Sequence, residues 1–196
     1  MNNETDVLRV GHAVLLRELR PTDLTPLVHI WSDPDVMRNV YEQAWTPQEC
    51  ADMLARARRE AAERPRRVYR MGIVRRQDDT LVGTITVELE RYSGAYVRAA
   101  AIAPSARRQR LGLEAFHLVS CLVFEDLGLH RLWCACLTDN LPAQKGVLRY
   151  GARREGTIRE FVNLDGTWRD AEIFGLLDHE WRTRQDEDAG LLATPA

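Results

Sequence analysis

The stretch AYVRAAAIAPSARRQRLGLEAF, residues 95–116, most constrains what this chain can fold into. Its first part is small and apolar, as a strand requires, and Pro104 stops it because proline has no N–H to give to a ladder. Leu111, Ala115, Leu118 and Leu122 then recur at helical spacing, so the sequence predicts a helix from about Leu111 to Asp126. A strand that turns tightly into a helix presents unpaired backbone N–H groups and the positive end of a helix dipole. Such a mouth suits a pyrophosphate.

The remaining pattern alternates strands and helices. HAVLLREL (12–19) reads as a strand, followed by a short helix capped by Thr22 or Asp23 with Leu24, Leu27, Val28 and Trp31 inward. Thr46 and Glu49 form a capping box with Pro47 at the first helical position, opening a helix over 46–64. Residues 69–89 read as two strands around a turn at Asp78–Asp79, 130–137 as a strand, 141–151 as a short helix closed by Gly151, and 168–177 as a last strand. The expectation is one α/β (α+β) domain over 1–184, with 185–196 a frayed tail.

Charge narrows the function classes. With 27 basic and 29 acidic residues the net charge is −2, so any binding of polyanions must come from local clusters. Lys145 is the single lysine; every other basic side chain is an arginine, whose fork suits phosphate and carboxylate. Cys134 and Cys136 stand two apart, and Cys50 and Cys121 stand alone, which offers no metal or redox spacing. We therefore expect buried thiols and no metal. No apolar run approaches the ~20 residues of a bilayer span, and the N-terminus lacks a secretory pattern, so the expectation is a cytoplasmic protein with no membrane partner.

The order of short motifs is more specific. Pro104, Arg107, Gly112, Glu114 and Ala115 are followed by Leu129-His130-Arg131, Asn140, Gly151, Glu155-Gly156 and Asp165-Gly166-Thr167-Trp168-Arg169-Asp170. In this order and spacing the chain resembles the GCN5-related N-acetyltransferases, in particular the branch that acetylates ribosomal-protein N-termini (the Rim-type branch). The resemblance covers residues 10–182. It implies a mixed, mostly antiparallel sheet whose fourth and fifth strands, about 95–103 and 130–137, splay into a V. It also implies a donor, acetyl-CoA or another acyl-CoA, with the pantetheine arm along Ala101, Ile102 and Ala103. The pyrophosphate would rest on the loop of Arg107, Arg108, Gln109, Arg110, Leu111 and Gly112, with Asn140 nearby. Four positions depart from the pattern. Arg110 replaces a loop glycine, Ala143 a serine, Ala152 an aromatic residue, and Val97 an acidic residue.

Each candidate has a plainer alternative. Arg107, Arg108 and Arg110 read as an anion site or as a solvated cluster, although three cations before a helix N-terminus oppose its dipole. Asn140 reads as a donor contact or as a helix cap. Glu88 and Glu90 alternate with Val87 and Leu89, so either could take a proton from an ammonium, or both could line an exposed strand face. Tyr150 is a candidate acid for the leaving group, and His117 reads as core or surface. No nucleophile is required, because an amine can attack a bound acyl donor directly.

Three functions follow. The first is amide formation on a small-molecule or peptide amine by an acyl-CoA. The second keeps the chemistry but takes the acyl group from an acyl- or aminoacyl-tRNA, as in specialised (antibiotic) metabolism, with arginines 56, 58, 59, 64, 66, 67, 75 and 76 on its phosphates. The third is a non-catalytic ligand binder. The acceptor-selecting loops fall near 32–45 and 157–167, and AEIFGLLDHEW (171–181) suggests an apolar edge for a homodimer.

Overall fold

Eight strands form one sheet: β1 (Val7–Val10), β2 (Val14–Glu18), β3 (Val68–Arg75), β4 (Thr80–Leu89), β5 (Gly94–Ile102), β6 (Arg131–Leu137), β7 (Arg153–Leu164) and β8 (Thr167–Leu177). Their spatial order is β1-β2-β3-β4-β5-β6-β8-β7, antiparallel at every step except β5–β6. The structure, a computed structural model, describes residues 6–38, 40, 44–164 and 166–192, with side chains up to 185. The helices are α1 (Leu24–Trp31), α2 (Pro34–Met37), α3 (Pro47–Ala62), α4 (Leu111–Cys121), α5 (Leu141–Tyr150) and α6 (Asp178–Leu192). Beyond Cys121, α4 continues through one wider π-type turn over Leu122–Asp126.

Apolar periodicity places these helices on both faces of the sheet. One cluster joins Ile85, Val87 and Leu132 to Leu111, Ala115 and Leu118 of α4, with Tyr150 and Trp181 from α5 and α6. The other joins Leu27, Ile30 and Trp31 of α1 to Cys50, Met53 and Leu54 of α3. The capping box at Thr46 and Glu49 forms as the residues dictate, with Thr46 N–H donating to Glu49 Oε2 at 2.6 Å.

The V comes from a bulge. β5 pairs with β6 only from Gly94↔Arg131 to Val97↔Cys134. On its other side, Thr86 pairs with Ala99 and Val87 with Val97, so Arg98 is an extra residue in β5. A bulge bends and twists its strand. Past it β5 leaves β6, which stays with β8 as far as Leu137↔Ala171. The strands numbered fourth and fifth from the sequence are β5 and β6, because Val7–Val10 adds a strand at the sheet edge.

Several expectations change here. Residues 157–167 are mostly strand rather than loop: β7 and β8 form a hairpin, which the polar pattern of β7 concealed because the strand lies at an edge and stays largely exposed. The apolar run 171–181 is not an edge, since β8 lies between β6 and β7, which removes the argument for a dimer through it. α6 runs on to Leu192 where a tail was expected, and the residues after it lie outside those described.

Many of the ordered motif residues hold this frame. Arg131 Nη1 donates to Glu155 Oε1 at 2.8 Å across β8, and Gly175 leaves the space, since a Cβ there would sit 2.3 Å from that oxygen. His130 Nδ1 faces Asp178 at 2.9 Å, and Arg169 pairs with Asp139. Asp170 Oδ1 accepts from Glu160 N–H at 2.8 Å, where β7 arches between its pairings Ile158↔Ala171 and Val162↔Arg169. Asp165 lies outside the described residues.

Candidate active site

The loop after β5 adopts the conformation that glycine would supply without using one. Arg108 (φ 63°) and Arg110 (φ 60°) are both left-handed. For a residue with a Cβ this costs about 1–2 kcal/mol each. Arg110 is the N-cap of α4, and its carbonyl accepts from Leu113 and Glu114 at 3.0 and 3.1 Å. Among the described residues, the N–H groups of Arg110, Leu111 and Gly112 meet no acceptor within hydrogen-bond geometry, as the opening turn of a helix dictates. A Cβ on Gly112 would meet Ile102 at an ordinary 3.5 Å, so internal packing does not demand that glycine; it keeps backbone open toward the cleft.

A cleft of about 650 Å³ lies between the free half of β5, this loop and the first turns of α5. The volume is of cofactor size. Of the donor-site residues expected from the sequence, Ala101, Ile102, Arg107, Arg108, Arg110, Leu111, Gly112 and Asn140 line it. Ala103 and Gln109 do not. Ala103 packs between the two apolar clusters with its N–H on Val82 O at 2.8 Å, and Gln109 Nε2 bonds back to Ser105 O at 3.1 Å. Arg107 reaches away from the loop, donating to the Asp35 carbonyl at 3.0 Å, which ties the loop to α2. Asn140 caps α5, its Oδ1 accepting from Ala143 N–H at 3.2 Å, and the residue also lines the cleft.

The catalytic candidates separate. Glu88 is half-buried on β4. It follows Thr84 and Thr86 at period two, and Thr84 accepts from Trp31 Nε1 at 3.2 Å, so Glu88 belongs to the face that α1 covers. There Arg98 donates to its Oε1 at 2.9 Å. Glu90 lies past the end of β4, exposed, with its N–H closing the hairpin on Gly94 O at 2.9 Å. The strand ends before it, so it does not join Glu88. Tyr150 is buried away from the donor cleft. Its hydroxyl accepts from Trp181 Nε1 at 3.0 Å and lies 3.0 Å from His117 Nδ1, and burial pushes its pKa up to about 12. It joins α4, α5 and α6. His117 lies in this same cluster.

Sequence reasoning missed the aromatic side of the splay. A hollow of about 230 Å³ opens at Arg98, walled by Trp31, Tyr96, Phe161 and Val162. Trp31 stacks on Trp45 at 4.5 Å and Tyr96 on Trp133 at 4.2 Å. Burial pushes the Tyr96 hydroxyl up to about 12, so it stays protonated at neutral pH. Arg98 was hidden because only strand pairing reveals a bulge, and Phe161 because the arch in β7 carries it there.

Comparison with known proteins decides the family. The profile described as an acetyltransferase (GNAT) domain matches residues 13–153, most of the chain. The chain belongs to the GNAT acetyltransferases. YnaD of Bacillus subtilis (strain 168), named an uncharacterized N-acetyltransferase, is 24% identical over 170 residues, covering 86% of this chain and 95% of YnaD. A putative ribosomal-protein-serine acetyltransferase from Vibrio cholerae is 25% identical with a TM-score of 0.69, covering 86% of this chain and 95% of that one. Mycobacterium smegmatis RimJ, solved with CoA-disulfide, superposes with a TM-score of 0.75 at 21% identity, covering 89% and 87% of the two chains. This GNAT protein is an N-acetyltransferase, with the mixed-sheet fold of its structural neighbours.

Proposed function

We propose that this GNAT enzyme takes its acetyl group from acetyl-CoA bound in the cleft beside β5 and forms an amide on a primary amine entering at Arg98. The observation that carries this reading is the coincidence of two features. Past Arg98 one edge of β5 has no strand partner among the described residues, so its backbone groups can be met by an extended amide-containing arm. The same edge leads to a left-handed loop at a helix N-terminus, which suits a pyrophosphate. RimJ of M. smegmatis was solved with CoA-disulfide, and a V. cholerae spermidine N-acetyltransferase of TM-score 0.76 with CoA and spermine.

When bound, acetyl-CoA supplies an activated acyl carbon. The chain positions it and manages the proton. Glu88, oriented by Arg98, accepts the proton of the incoming ammonium through water. The aromatic walls around Arg98 favour an acceptor with an apolar body beside its amine, whether a small molecule or a peptide N-terminus. Of the arginines expected to meet a tRNA donor, Arg66 pairs with Glu18 and Arg75 with Asp78, while Arg64, Arg67 and Arg76 donate to backbone carbonyls. Arg56, Arg58 and Arg59 stand exposed on α3, so it is the cleft beside β5 that favours acetyl-CoA.

The test is a panel of small amines and peptides with acetyl-CoA, reading thiol release. Acetylated product is expected, and Glu88→Gln should lower kcat by about 100-fold or more at pH 7 while Glu90→Gln keeps it. Product from acylated tRNA alone would overturn the donor assignment, and full activity in Glu88→Gln would remove the base.

A further inference from the structure

Behind α4 lies a second hollow, about 370 Å³, bordered by the start of α4, the end of α5 and α6. Three arginines stand around it: Arg110, Arg149 and Arg184. Arg184 is held in place, with Nη2 donating to the Arg149 carbonyl at 2.7 Å. Gly151 makes that approach possible, since a Cβ there would lie 2.9 Å from Arg184 Nη1. Of the other polar groups of the wall, Glu114 Oε1 accepts from Ala13 N–H at 2.9 Å and His117 and Tyr150 face each other, while Gln185 of α6 adds an uncharged amide. The side chains of Arg110 and Arg149 make no ion pair among the described residues, and both are exposed. The hollow is therefore cationic, with guanidinium forks to spare.

Arg110 is common to this hollow and to the donor cleft. It is also costly where it stands, a left-handed residue with a cation at the positive end of a helix. A bound anion offsets the second cost. We infer that the hollow seats the 3′-phosphate of the CoA donor, so that Arg110 and Arg149, with Arg184 beside them, select CoA over its dephosphorylated form. This rests on the CoA-donor reading above. With a pyrophosphate on the loop backbone, Arg110, which borders both the cleft and the hollow, would offer its fork to a further phosphate of the same donor, and Arg149 would stand on the same hollow. Glycine at 110 would keep the loop and lose the guanidinium.

Calorimetry with CoA, 3′-dephospho-CoA and inorganic phosphate tests this on the full chain, unmodified and as Arg149→Ala and Arg149→Lys. The unmodified protein should bind CoA at least about tenfold more tightly than dephospho-CoA, and the gap should shrink with added salt. Arg149→Ala, an exposed change, should cut the ratio to about threefold or less by weakening CoA alone, and Arg149→Lys should restore part of it. Equal affinity for the two nucleotides, or an Arg149→Ala loss shared equally by both, overturns the assignment and leaves the donor reading standing. Tight binding of inorganic phosphate without a preference for CoA also overturns it, making the hollow a free-anion site. Binding of neither nucleotide removes the donor reading, and the 3′-phosphate seat with it.

Discussion

At Arg110 and Tyr150 the same sequence evidence leads to opposite outcomes. Arg110 departs from the family pattern yet keeps the loop, because a left-handed residue with a Cβ is strained rather than forbidden. Tyr150 was a candidate acid, but its hydroxyl is spent on Trp181 and His117. Tyr150→Phe should therefore leave a buried indole N–H without its acceptor and cost about 1–3 kcal/mol in urea denaturation. Acetyl transfer should keep its kcat within about twofold of the unmodified protein at neutral pH. A folded variant whose kcat fell 100-fold or more would return Tyr150 to the acid role.

Among the elements, β4 and β5 carry the site. The bulge at Arg98 turns a continuous sheet into one with an open edge, and the contact of β4 with β5 just beyond it holds that edge in place. Gly83 sits at this contact: a Cβ there would lie 2.4 Å from the Ala101 carbonyl oxygen and 2.8 Å from Ile102 Cδ1. The first of these atoms is backbone, so it cannot rotate aside. Gly83→Ala should push β5 off β4, destabilise by about 1–3 kcal/mol, and weaken CoA binding in calorimetry. Unchanged CoA affinity in that variant would mean the donor does not lie along β5. The hairpin of β7 and β8 acts at the same scale, since its arch at Glu160 brings Phe161 to the aromatic hollow opposite the donor cleft.

For the whole molecule, two buried phenols set an alkaline limit. Tyr96 and Tyr150 both titrate near 12 in the fold against a usual 10, because burial disfavours the phenolate. Their contribution to stability is fully present below the unfolded value of about 10, and it is lost as pH rises through 12, since the unfolded chain ionises first. The urea midpoint should hold up to about pH 9 and drop steeply by about pH 12, and Tyr150→Phe should flatten part of that drop. For Tyr150 alone the loss is on the order of 2–3 kcal/mol. Among the described residues no helix is long and apolar enough to cross a membrane. What the sequence determined by itself was local: the capping box at Thr46, the stop at Pro104, the helix after Arg110, the turn at Gly151, and the motif order that named the family. Such features depend on neighbours within a few residues, so their physics is written in the chain. Tertiary structure decided the rest. It made β7 a strand despite its polar pattern, buried β8 between two others, bent β5 at Arg98, left Glu88, Glu90 and Tyr150 off the lining of the donor cleft, and brought Arg149 and Arg184 to the hollow that Arg110 borders. Those outcomes depend on which strands pair and which helix ends meet, contacts between residues distant in sequence that no local pattern encodes.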